Sequence, residues 1–487
     1  MQEHARFHFS TLPGLILEAV QERPQPVALR YPHGEGFKGY SSDEVLTRIA
    51  WLAHGLKAEG LKTGDRVGII APSSPDWVML DLAIQAAGGV SVPIFKKISP
   101  RSFKHEIQDS GMVRIFVGIE EELANAREYG KYLKHITSFG FAGTHQEFDA
   151  LLERGKHEHE KDPSHISHMA ASISPDSLAT IIYTSGSTGL PKGVRLTQAN
   201  IVSQIYATAE RFTFDPEQDS ALSVLPLAHI FERMVMYFYV ASGLRVTFVD
   251  DPKKLGDYIK IVQPTVLTVV PRILEKVYLK MKDKVAGYSG LKRALASAAI
   301  ARAETRNEHK GAGLVGGIFD ALVYKKLRAG LGGKVRLAIC GSAKLDAGIG
   351  RFFINIGLPV YEGYGMTEAS PVIAANYPGH RKLGTVGPLF PGVDVKIHGG
   401  EVLARGPNIM QGYHNRPDAT ADTINDDGWL HTGDLGSLDD QGYLTITGRK
   451  KELFKKSTGE YVPPVPIEQQ LVQIPGVDTA VIFADNR

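Results

Sequence analysis

A short segment around residue 190 combines the side chains that hold a row of phosphates. It contains four hydroxyl residues, three glycines and one lysine, Lys192. The hydroxyl residues and glycines are Thr184, Ser185, Gly186, Ser187, Thr188, Gly189 and Gly193. Glycines let the backbone approach an anion closely and point successive N–H groups at it, and a lysine adds a compact positive charge. The segment therefore predicts a loop that binds nucleotide phosphates, with Lys192 beside the β and γ phosphates.

Two other interpretations of this segment compete with a phosphate loop. A Walker A loop needs glycine before the lysine and serine or threonine after it, whereas Pro191 and Gly193 occupy these positions. A solvated turn is the usual role of a stretch rich in serine and glycine. However, the apolar run 178–182 predicts a strand that ends at the segment. Because α/β proteins bind ligands at the carboxyl ends of strands, this context favours the phosphate loop.

A second glycine-bearing segment, residues 361–368, follows another short apolar run, residues 358–360. The carboxylate of Glu368 is a suitable hard oxygen ligand for Mg²⁺ bound to nucleotide phosphates. Tyr364 is placed to stack on a flat base, and Thr367 is placed to bond an α phosphate. Taken alone, the segment is equally well a turn with a surface acid.

Two later segments add a carboxylate and a group of cations. Asp434 follows Gly433 at the end of the run 428–434, where its carboxylate is suited to accept two hydrogen bonds from ribose hydroxyls. Residues 448–455 carry Arg449 and three lysines after a predicted strand. A charge run of this kind, taken by itself, is a solvated face.

The overall composition is that of an ordinary globular protein. Of 487 residues, 43% are hydrophobic and 22% are charged, and the formal net charge of +2 gives no field that favours nucleic acid. The single cysteine, Cys340, rules out an intramolecular disulfide, which favours a reducing, cytoplasmic compartment. The amino terminus lacks the pattern of a secretory signal. No apolar run approaches the roughly 18 residues that span a bilayer.

Apolar runs alternate with helical patterns along most of the chain, which is typical of βαβ units around a largely parallel sheet. Ser41 with Glu44, and Ser74 with Pro75, predict the starts of two helices. From 393 to 406 the pattern changes to short alternating strands with glycine and proline turns. This change predicts a small β-rich subdomain.

Two polar stretches are predicted to lie outside the regular core. Residues 153–177 include several histidines but no framing cluster of cysteines or carboxylates, so a solvated linker is favoured over a metal site. Residues 296–317 are charged and rich in alanine and glycine. They indicate a mobile helical excursion.

In this order, the four segments resemble the adenylate-forming superfamily of acyl-CoA synthetases, luciferases and nonribosomal-peptide adenylation domains. The resemblance covers essentially the whole chain, and residues 225–233 and 454–464 are most similar to the long-chain fatty acyl-CoA synthetases. It implies an α/β fold in which residues 1–447 form a large amino-terminal domain, with two α/β subdomains and a small β-rich subdomain. Residues 448–487 would be a hinge and the start of an incomplete small α+β carboxyl-terminal domain.

The resemblance also implies roles for individual residues. The implied catalytic residues are Lys192, Thr184, Glu368, Thr367 and His229, with the metal at Thr184 and Glu368. The implied nucleotide-binding residues are Thr184, Ser185, Gly186, Ser187, Thr188, Gly189, Lys192, Gly341, Ser342, Ala343, Glu362, Gly363, Tyr364, Gly365, Met366, Thr367, Asp434 and Arg449. Within this set, Asp434 would hold the ribose with the help of Arg449.

An acyl tunnel completes the implied site. His229 would lie at its edge, and the side chains predicted for its wall are Phe231, Met234, Met236, Tyr237 and Phe238. Core packing explains these five large side chains equally well. A fatty substrate also favours a peripheral contact at the inner face of a membrane, although no basic amphipathic helix is evident in the sequence.

The implied reaction activates a long-chain fatty acid, and it uses ATP, Mg²⁺ and CoA. The carboxylate attacks the α phosphorus of ATP, which gives acyl-AMP and pyrophosphate, and the thiol of CoA then gives the thioester and AMP. Lys192, and magnesium on Glu368, would neutralise charge on the leaving group, which is an electrostatic role rather than acid–base catalysis.

The carboxyl-terminal end departs from the family pattern. The family's small domain runs for roughly a hundred residues beyond the hinge, and near its end a lysine contacts the reacting carboxylate and the α phosphate. Residues 448–487 contain no residue that matches this lysine. The missing lysine therefore leaves open a non-catalytic binder of ATP or fatty acid. A further alternative, a ligase that passes the acyl group to a carrier protein, differs from a CoA ligase only in its acceptor. Neither the length of the acyl chain nor the oligomeric state follows from the sequence.

Overall fold

The computed structural model describes residues 7–140, 145–184, 189–307, 313–450, 454–455, 461–462, 467–468, 471, 477 and 480–482. Within these ranges the strands build three large sheets and one strand pair. In chain order the strands are β1 (Leu29–His33), β2 (Gly36–Tyr40), β3 (Arg66–Ile70), β4 (Val90–Pro93), β5 (Arg114–Val117), β6 (His135–Ser138), β7 (Leu178–Thr184), β8 (Lys192–Thr197), β9 (Ser220–Ser223), β10 (Arg245–Phe248), β11 (Val266–Val269), β12 (Leu337–Cys340), β13 (Val360–Gly365), β14 (Val372–Ala375), β15 (Gly387–Pro388), β16 (Asp394–His398), β17 (Glu401–Arg405), β18 (Gly412–Tyr413), β19 (Leu430–Leu438), β20 (Tyr443–Arg449), β21 (Phe454–Lys455) and β22 (Tyr461–Val462).

Helices connect and cover the sheets. In chain order the α-helices are α1 (Leu12–Glu22), α2 (Ser42–Ala58), α3 (Pro75–Ala86), α4 (Pro100–Ser110), α5 (Glu120–Glu128), α6 (His145–Lys161), α7 (His165–Ala171), α8 (Gln198–Ala209), α9 (Ile230–Ala241), α10 (Leu255–Val262), α11 (Pro271–Ala286), α12 (Gly290–Thr305), α13 (Gly313–Phe319), α14 (Lys325–Ala329), α15 (Ala347–Asn355) and α16 (Pro417–Thr423). A π-helical turn, Asp320–Tyr324, joins α13 to α14. Within the described ranges, every helix falls short of the length and hydropathy that a membrane span requires.

The two helix starts predicted from capping residues are confirmed. At α2 the Ser41 hydroxyl accepts from the Glu44 backbone N–H, and the Glu44 carboxylate accepts from the Ser41 N–H at 2.7 Å. At α3 the Ser74 hydroxyl accepts from the Trp77 N–H at 3.2 Å, with Pro75 in the first turn. These bonds satisfy backbone donors that have no partner inside the helix.

The seven-stranded sheet has the order β18-β8-β7-β4-β3-β5-β6. Strands β3 to β7 pair in parallel, whereas β8 is antiparallel to β7 and β18 is antiparallel to β8. The central strands β4 and β5 are buried along their whole length, as expected for a parallel sheet covered on both faces. Because β7 ends at Thr184 and β8 begins at Lys192, the predicted phosphate segment connects the ends of two paired strands.

The eight-stranded sheet has the order β14-β13-β12-β11-β9-β10-β1-β2. Its six central strands pair in parallel, and the edge strands β14 and β2 are antiparallel to their neighbours. Strand β13 leads through Met366 into a short helical turn, Thr367–Ala369. The predicted strand 358–360 thus lies later in the chain than expected, because residues 361–365 of the segment belong to β13 itself. Only 366–368 follow its carboxyl end.

A five-stranded antiparallel sheet, of order β15-β20-β19-β17-β16, forms the small β-rich subdomain. Together the three sheets confirm the predicted α/β class with its two α/β subdomains and its β-rich subdomain. The division after residue 447 stays a prediction, and the position falls inside strand β20.

The prediction of a solvated linker at residues 153–177 is wrong. These residues contribute to α6 and α7, and α6 packs against α2. Gly155 lets the two helix backbones approach closely, since a Cβ at this position would lie 1.7 Å from the Trp51 carbonyl oxygen. The buried ring of His54 lies between those of His159 and His165, at centroid distances of 5.3 and 5.1 Å. Burial, with smaller effects of the two neighbouring histidines, lowers the pKa of His54 to about 4.

Candidate active site

One cavity of about 1130 Å³ is lined by residues from all three large sheets. Lys192 comes from the seven-stranded sheet, Tyr364 from the eight-stranded sheet and Thr432 from the antiparallel sheet. Lys192 and Thr432, which are more than 200 positions apart in the sequence, thus line the same cavity. The glycine-bearing segments predicted to share one nucleotide are therefore brought together.

Most of the residues predicted for the site line this cavity. They are Thr184, Lys192, His229, Gly341, Ser342, Gly363, Tyr364, Gly365, Met366, Thr367, Glu368 and Arg449. The predicted residues that do not line it are Gly189, Ala343, Glu362 and Asp434. The remaining predicted residues, Ser185, Gly186, Ser187 and Thr188, lie outside the described residues.

Tyr413, which the sequence analysis missed, links the two groups predicted to handle phosphate and metal. The Lys192 ammonium lies 4.8 Å from the centroid of the Tyr413 ring, within the range of a cation–π contact. The Tyr413 hydroxyl donates a 2.8 Å hydrogen bond to one carboxylate oxygen of Glu368. Burial, and then the charge of Glu368, raises the pKa of Tyr413, so the phenol stays a neutral donor.

Strand pairing, rather than sequence proximity, places Tyr413. In β18 it pairs antiparallel with Val194 of β8, and the next N–H, of His414, donates to the Gly193 carbonyl at 2.7 Å. Strand β18 therefore extends the β7–β8 hairpin on the side of β8, the strand that begins at Lys192. No charge or glycine pattern in the sequence marks this tyrosine as part of a site.

Asp434 lies just beneath the cavity surface, where two lining residues hold it. Its carboxylate accepts from the Tyr364 hydroxyl at 2.7 Å and from Nε of Arg449 at 3.0 Å. Asp434 is only 4% exposed, whereas the side chain of Arg449 is 60% exposed. Burial, followed by the charge of Asp434, raises the pKa of Tyr364 well above its ordinary value. The three groups thus form one hydrogen-bonded unit across two sheets.

Close contacts leave no room for a side chain at one glycine of the cavity wall and little room at a second. A Cβ on Gly365 would lie 1.9 Å from the Pro371 carbonyl oxygen, so no side chain fits there. A Cβ on Gly341 would lie 3.0 Å from the ring of Phe231. Both glycines therefore keep the backbone at the surface of the cavity, where its polar groups can reach a ligand.

Glu362 is buried and does not line the cavity. Burial raises its pKa to about 7, although a backbone hydrogen bond from Leu345 and the charge of Lys344 act in the opposite direction. Its position next to Gly363 in β13 explains why sequence proximity predicted a nucleotide contact. In an extended strand, successive side chains lie on opposite faces.

Comparisons with known proteins identify the family. A family model described as AMP-binding enzyme matches residues 16–414. The chain is therefore an AMP-binding enzyme. It is 37% identical over 455 residues to the long-chain-fatty-acid–CoA ligase FadD15 of Mycobacterium bovis, covering 91% of this chain and 75% of that protein. It is 32% identical over 483 residues to long-chain-fatty-acid–CoA ligase 6 of Mus musculus, covering 92% of this chain and 68% of that protein. By these relatives it belongs to the long-chain-fatty-acid–CoA ligases.

The fold of this AMP-binding enzyme matches solved structures over nearly its whole length. The O-succinylbenzoate coenzyme A synthetase MenE of Bacillus subtilis, solved in complex with AMP, superposes with a TM-score of 0.72. The match covers 97% of this chain and 86% of MenE at 21% sequence identity. The shared architecture is the adenylate-forming fold.

His229 caps α9 of the AMP-binding enzyme and faces the cavity. Its Nδ1 accepts from the Phe231 backbone N–H at 3.2 Å, and its ring meets Phe95 edge-on at 6.3 Å. Burial lowers the pKa of His229, so the imidazole is neutral at neutral pH. A neutral ring with one nitrogen committed to the backbone keeps the other nitrogen for a ligand.

The helix α9 contributes to the cavity wall with only one of its faces. Phe231 and Met234, both predicted for the acyl tunnel, line the cavity together with Val235. The other predicted side chains, Met236, Tyr237 and Phe238, are each 1% exposed, and they are packed in the core. The prediction of a tunnel wall therefore fits the geometry for the first two residues, and core packing accounts for the other three.

A second charged cluster at the cavity was also missed. The Glu401 carboxylate accepts from the Lys450 ammonium at 3.2 Å and from the Gly433 N–H at 3.0 Å, and it lies 3.5 Å from Nδ1 of His431. Burial acts to raise the pKa of Glu401, but the hydrogen bonds from Lys450, Gly433 and His431 lower it overall. Through Lys450, the cluster connects the charged segment 448–455 to strand β17.

Proposed function

We propose that this cavity activates a long-chain fatty acid with ATP and transfers the acyl group to CoA. The acid's carboxylate displaces pyrophosphate from the α phosphorus of ATP and forms acyl-AMP, and the CoA thiol then displaces AMP and forms the thioester. The observation that carries the proposal is one cavity lined by both charged and apolar side chains. Lys192, Glu368 and Arg449 lie in the same cavity as Phe231 and Met234.

The polar side would hold the phosphates and a metal ion. Glu368 and Thr184 are the oxygen donors proposed for Mg²⁺, and hard oxygen ligands suit this ion. Glu368 fits the role because one of its oxygens is held by Tyr413, whereas the other accepts no hydrogen bond from the described residues. Magnesium bound there would supply positive charge against the leaving pyrophosphate. Lys192 would add a second positive charge from the side of Tyr413.

The nucleoside would lie against β13 and β19. We assign adenine and ribose to the segment 363–367 and to Asp434, with backbone groups of Gly341 and Ser342 nearby. Each carboxylate oxygen of Asp434 has two lone pairs. The bonds from Tyr364 and Arg449 therefore leave capacity for a ribose hydroxyl.

The apolar side would receive the acyl chain, with His229 at the junction between the two sides. Because Nδ1 of the neutral ring accepts from the Phe231 N–H, Nε2 carries the proton and can donate a hydrogen bond to the reacting carboxylate without adding a charge. CoA is proposed as the acceptor, in place of a carrier protein, because the curated relatives are CoA ligases.

The proposal is tested by ATP–pyrophosphate exchange with the full chain. We expect exchange to depend on an added long-chain fatty acid and on magnesium. Thioester formation is then compared with free CoA and with acyl carrier protein as acceptors, and more product is expected with CoA. Exchange no faster with the acid than without it would reject acid activation by this chain. A higher yield on the carrier protein would instead change the acceptor.

Replacing Asp434 by asparagine is expected to raise the KM for ATP by about 10- to 100-fold, with a smaller change in kcat. The substitution keeps the shape but removes the charge that holds Arg449, and a hydrogen bond to a charged group contributes about 1.5–3 kcal/mol. Steady-state kinetics at varied ATP concentration measures this effect. Asp439→Asn is the matched control, because Asp439 lies just beyond the same strand and pairs with Lys382 at 2.6 Å. An unchanged KM in Asp434→Asn would remove Asp434 from the nucleotide site.

A further inference from the structure

A continuous helical segment, residues 313–329, presents an unusual apolar face to solvent. It is built from α13, the π-helical turn and α14. Leu314 is 92% exposed, and Val315, Ile318 and Leu322 are about half exposed, at 53%, 56% and 47%. Residues spaced four apart lie on one side of a helix. The exposed residues 314, 318 and 322 therefore form one stripe, which is separate from the buried residues of the segment.

The preceding helix, α12, adds two exposed leucines. Leu291 is 90% exposed and Leu295 is 38% exposed, whereas Ala299 and Ile300 of the same helix are buried. The Tyr324 hydroxyl donates to the Ala299 carbonyl at 2.8 Å, which fixes the segment 313–329 against α12. The exposed leucines therefore contribute little to the packing between these helices. A single exposed leucine is normal, whereas several on two helices in contact with each other favour an interaction surface.

The same region is strongly basic. Residues 276–334 contain thirteen lysines and arginines and four aspartates and glutamates, whereas the whole chain has a formal net charge of only +2. Two of the four acids are paired internally, since Asp320 binds Arg328 at 2.6 Å and Glu304 binds Lys282 at 3.1 Å. Lys325 and Lys326 are exposed at the end of the stripe. The apolar face therefore lies in a field that attracts anions.

We propose that this surface, formed by the exposed leucine, valine and isoleucine side chains of 291–295 and 314–322 and by the lysines that flank them, docks onto an anionic lipid bilayer. Apolar side chains on one helical face with lysines at their border are the composition of helices that lie in a membrane interface. Each lysine close to the lipid phosphates would add attraction. Self-association is disfavoured, because pairing two copies would bring two strongly positive surfaces together.

The test is sedimentation of the full chain with lipid vesicles, without ATP or fatty acid, so that its outcome is independent of the proposed reaction. We expect binding to vesicles with about 30% phosphatidylglycerol and little binding to pure phosphatidylcholine. Lys325→Gln/Lys326→Gln should lower the partition coefficient by about 30-fold, since each lysine contributes roughly fivefold. The matched control is Lys253→Gln/Lys254→Gln, which removes two neighbouring exposed lysines elsewhere.

A second variant tests the apolar stripe. Leu314→Ser/Ile318→Ser/Leu322→Ser should lower vesicle binding by about tenfold or more, because these side chains would leave the interface. Ile397→Ser/Leu438→Ser, at exposed positions of the antiparallel sheet, is its control and should bind as the unaltered chain does. A circular-dichroism spectrum and a urea-denaturation midpoint equal to those of the unaltered chain show that the variants are folded. Vesicle binding that is absent, or that neither variant weakens, overturns the proposal. So does a dimer in solution that the apolar variant converts to a monomer.

Discussion

Replacing Glu368 by glutamine is expected to lower acid-dependent ATP–pyrophosphate exchange by about 10²- to 10³-fold, the loss typical for removal of one electrostatic group at a reacting centre. Glutamine has the same shape, and its amide oxygen can still accept the hydroxyl of Tyr413, which now donates at 2.8 Å. The fold around the short turn Thr367–Ala369 should therefore persist. What is lost is the negative charge proposed to hold magnesium, so the magnesium concentration for half-maximal rate should rise.

Two further variants show whether the effect is specific to the carboxylate of Glu368. Glu210→Gln removes an exposed carboxylate at the end of α8 and should leave exchange unchanged. Lys192→Ala removes the cation from the opposite side of Tyr413 and should lower exchange without changing the magnesium requirement. A Glu368→Gln rate within about threefold of the unaltered chain at saturating magnesium would show that Glu368 stabilises no charge in the transition state.

The parts of the site that sequence patterns predicted are those encoded by local segments. Thr184 ends β7, Lys192 begins β8, and Glu368 lies in the turn that follows β13. Glycines and hydroxyls mark such strand ends in the sequence. The convergence of these residues was expected from the family resemblance rather than from strand order, because β7 and β13 belong to different sheets. Which of these residues bind nucleotide or metal stays a prediction.

The parts that were missed depend on contacts between distant strands. Tyr413 reaches Glu368 only because β18 pairs with β8, more than 200 residues earlier in the chain. Glu401 reaches Lys450 because β17 and β20 both pair with β19. The pairing register between strands that are distant in the sequence is set by the assembled fold, so no local sequence pattern predicts it.

The mixed outcome for α9 has a different cause. All but one of its residues are buried, so its hydrophobic pattern cannot distinguish the side that faces a cavity from the side that faces the core. Gly155 shows the opposite limitation. Its segment is polar, yet the missing side chain lets α6 lie directly against α2. Composition predicted a linker there, although close helix contact depends on Gly155 and on Gly55 of α2, where a Cβ would lie 2.5 Å from the Leu151 carbonyl oxygen.

Replacing Arg233 by methionine is expected to lower the free energy of unfolding by about 3–5 kcal/mol, because it leaves a buried carboxylate without its partner. The side chains of Arg233 and Asp81 are both 0% exposed and form an ion pair. Arg233 also donates to the Thr180 hydroxyl at 2.8 Å, and the Tyr237 hydroxyl lies 2.7 Å from its Nε. These contacts thus join α3 to β7, the strand that leads to Thr184, and to α9, the helix that carries the proposed acyl wall.

Urea denaturation measures this loss, and a double variant shows its origin. Arg233→Met/Asp81→Leu removes both charges and should recover most of the stability, since apolar groups of similar volume can replace a buried ion pair. Arg405→Met is the control, because it breaks an exposed pair with Asp394 and should cost about 0–1 kcal/mol. If the double variant is as unstable as Arg233→Met, the lost stability comes from packing around α9 rather than from the unpaired carboxylate of Asp81. In that case exchange activity should fall in both variants, because His229 and Phe231 at the start of the same helix would shift with it.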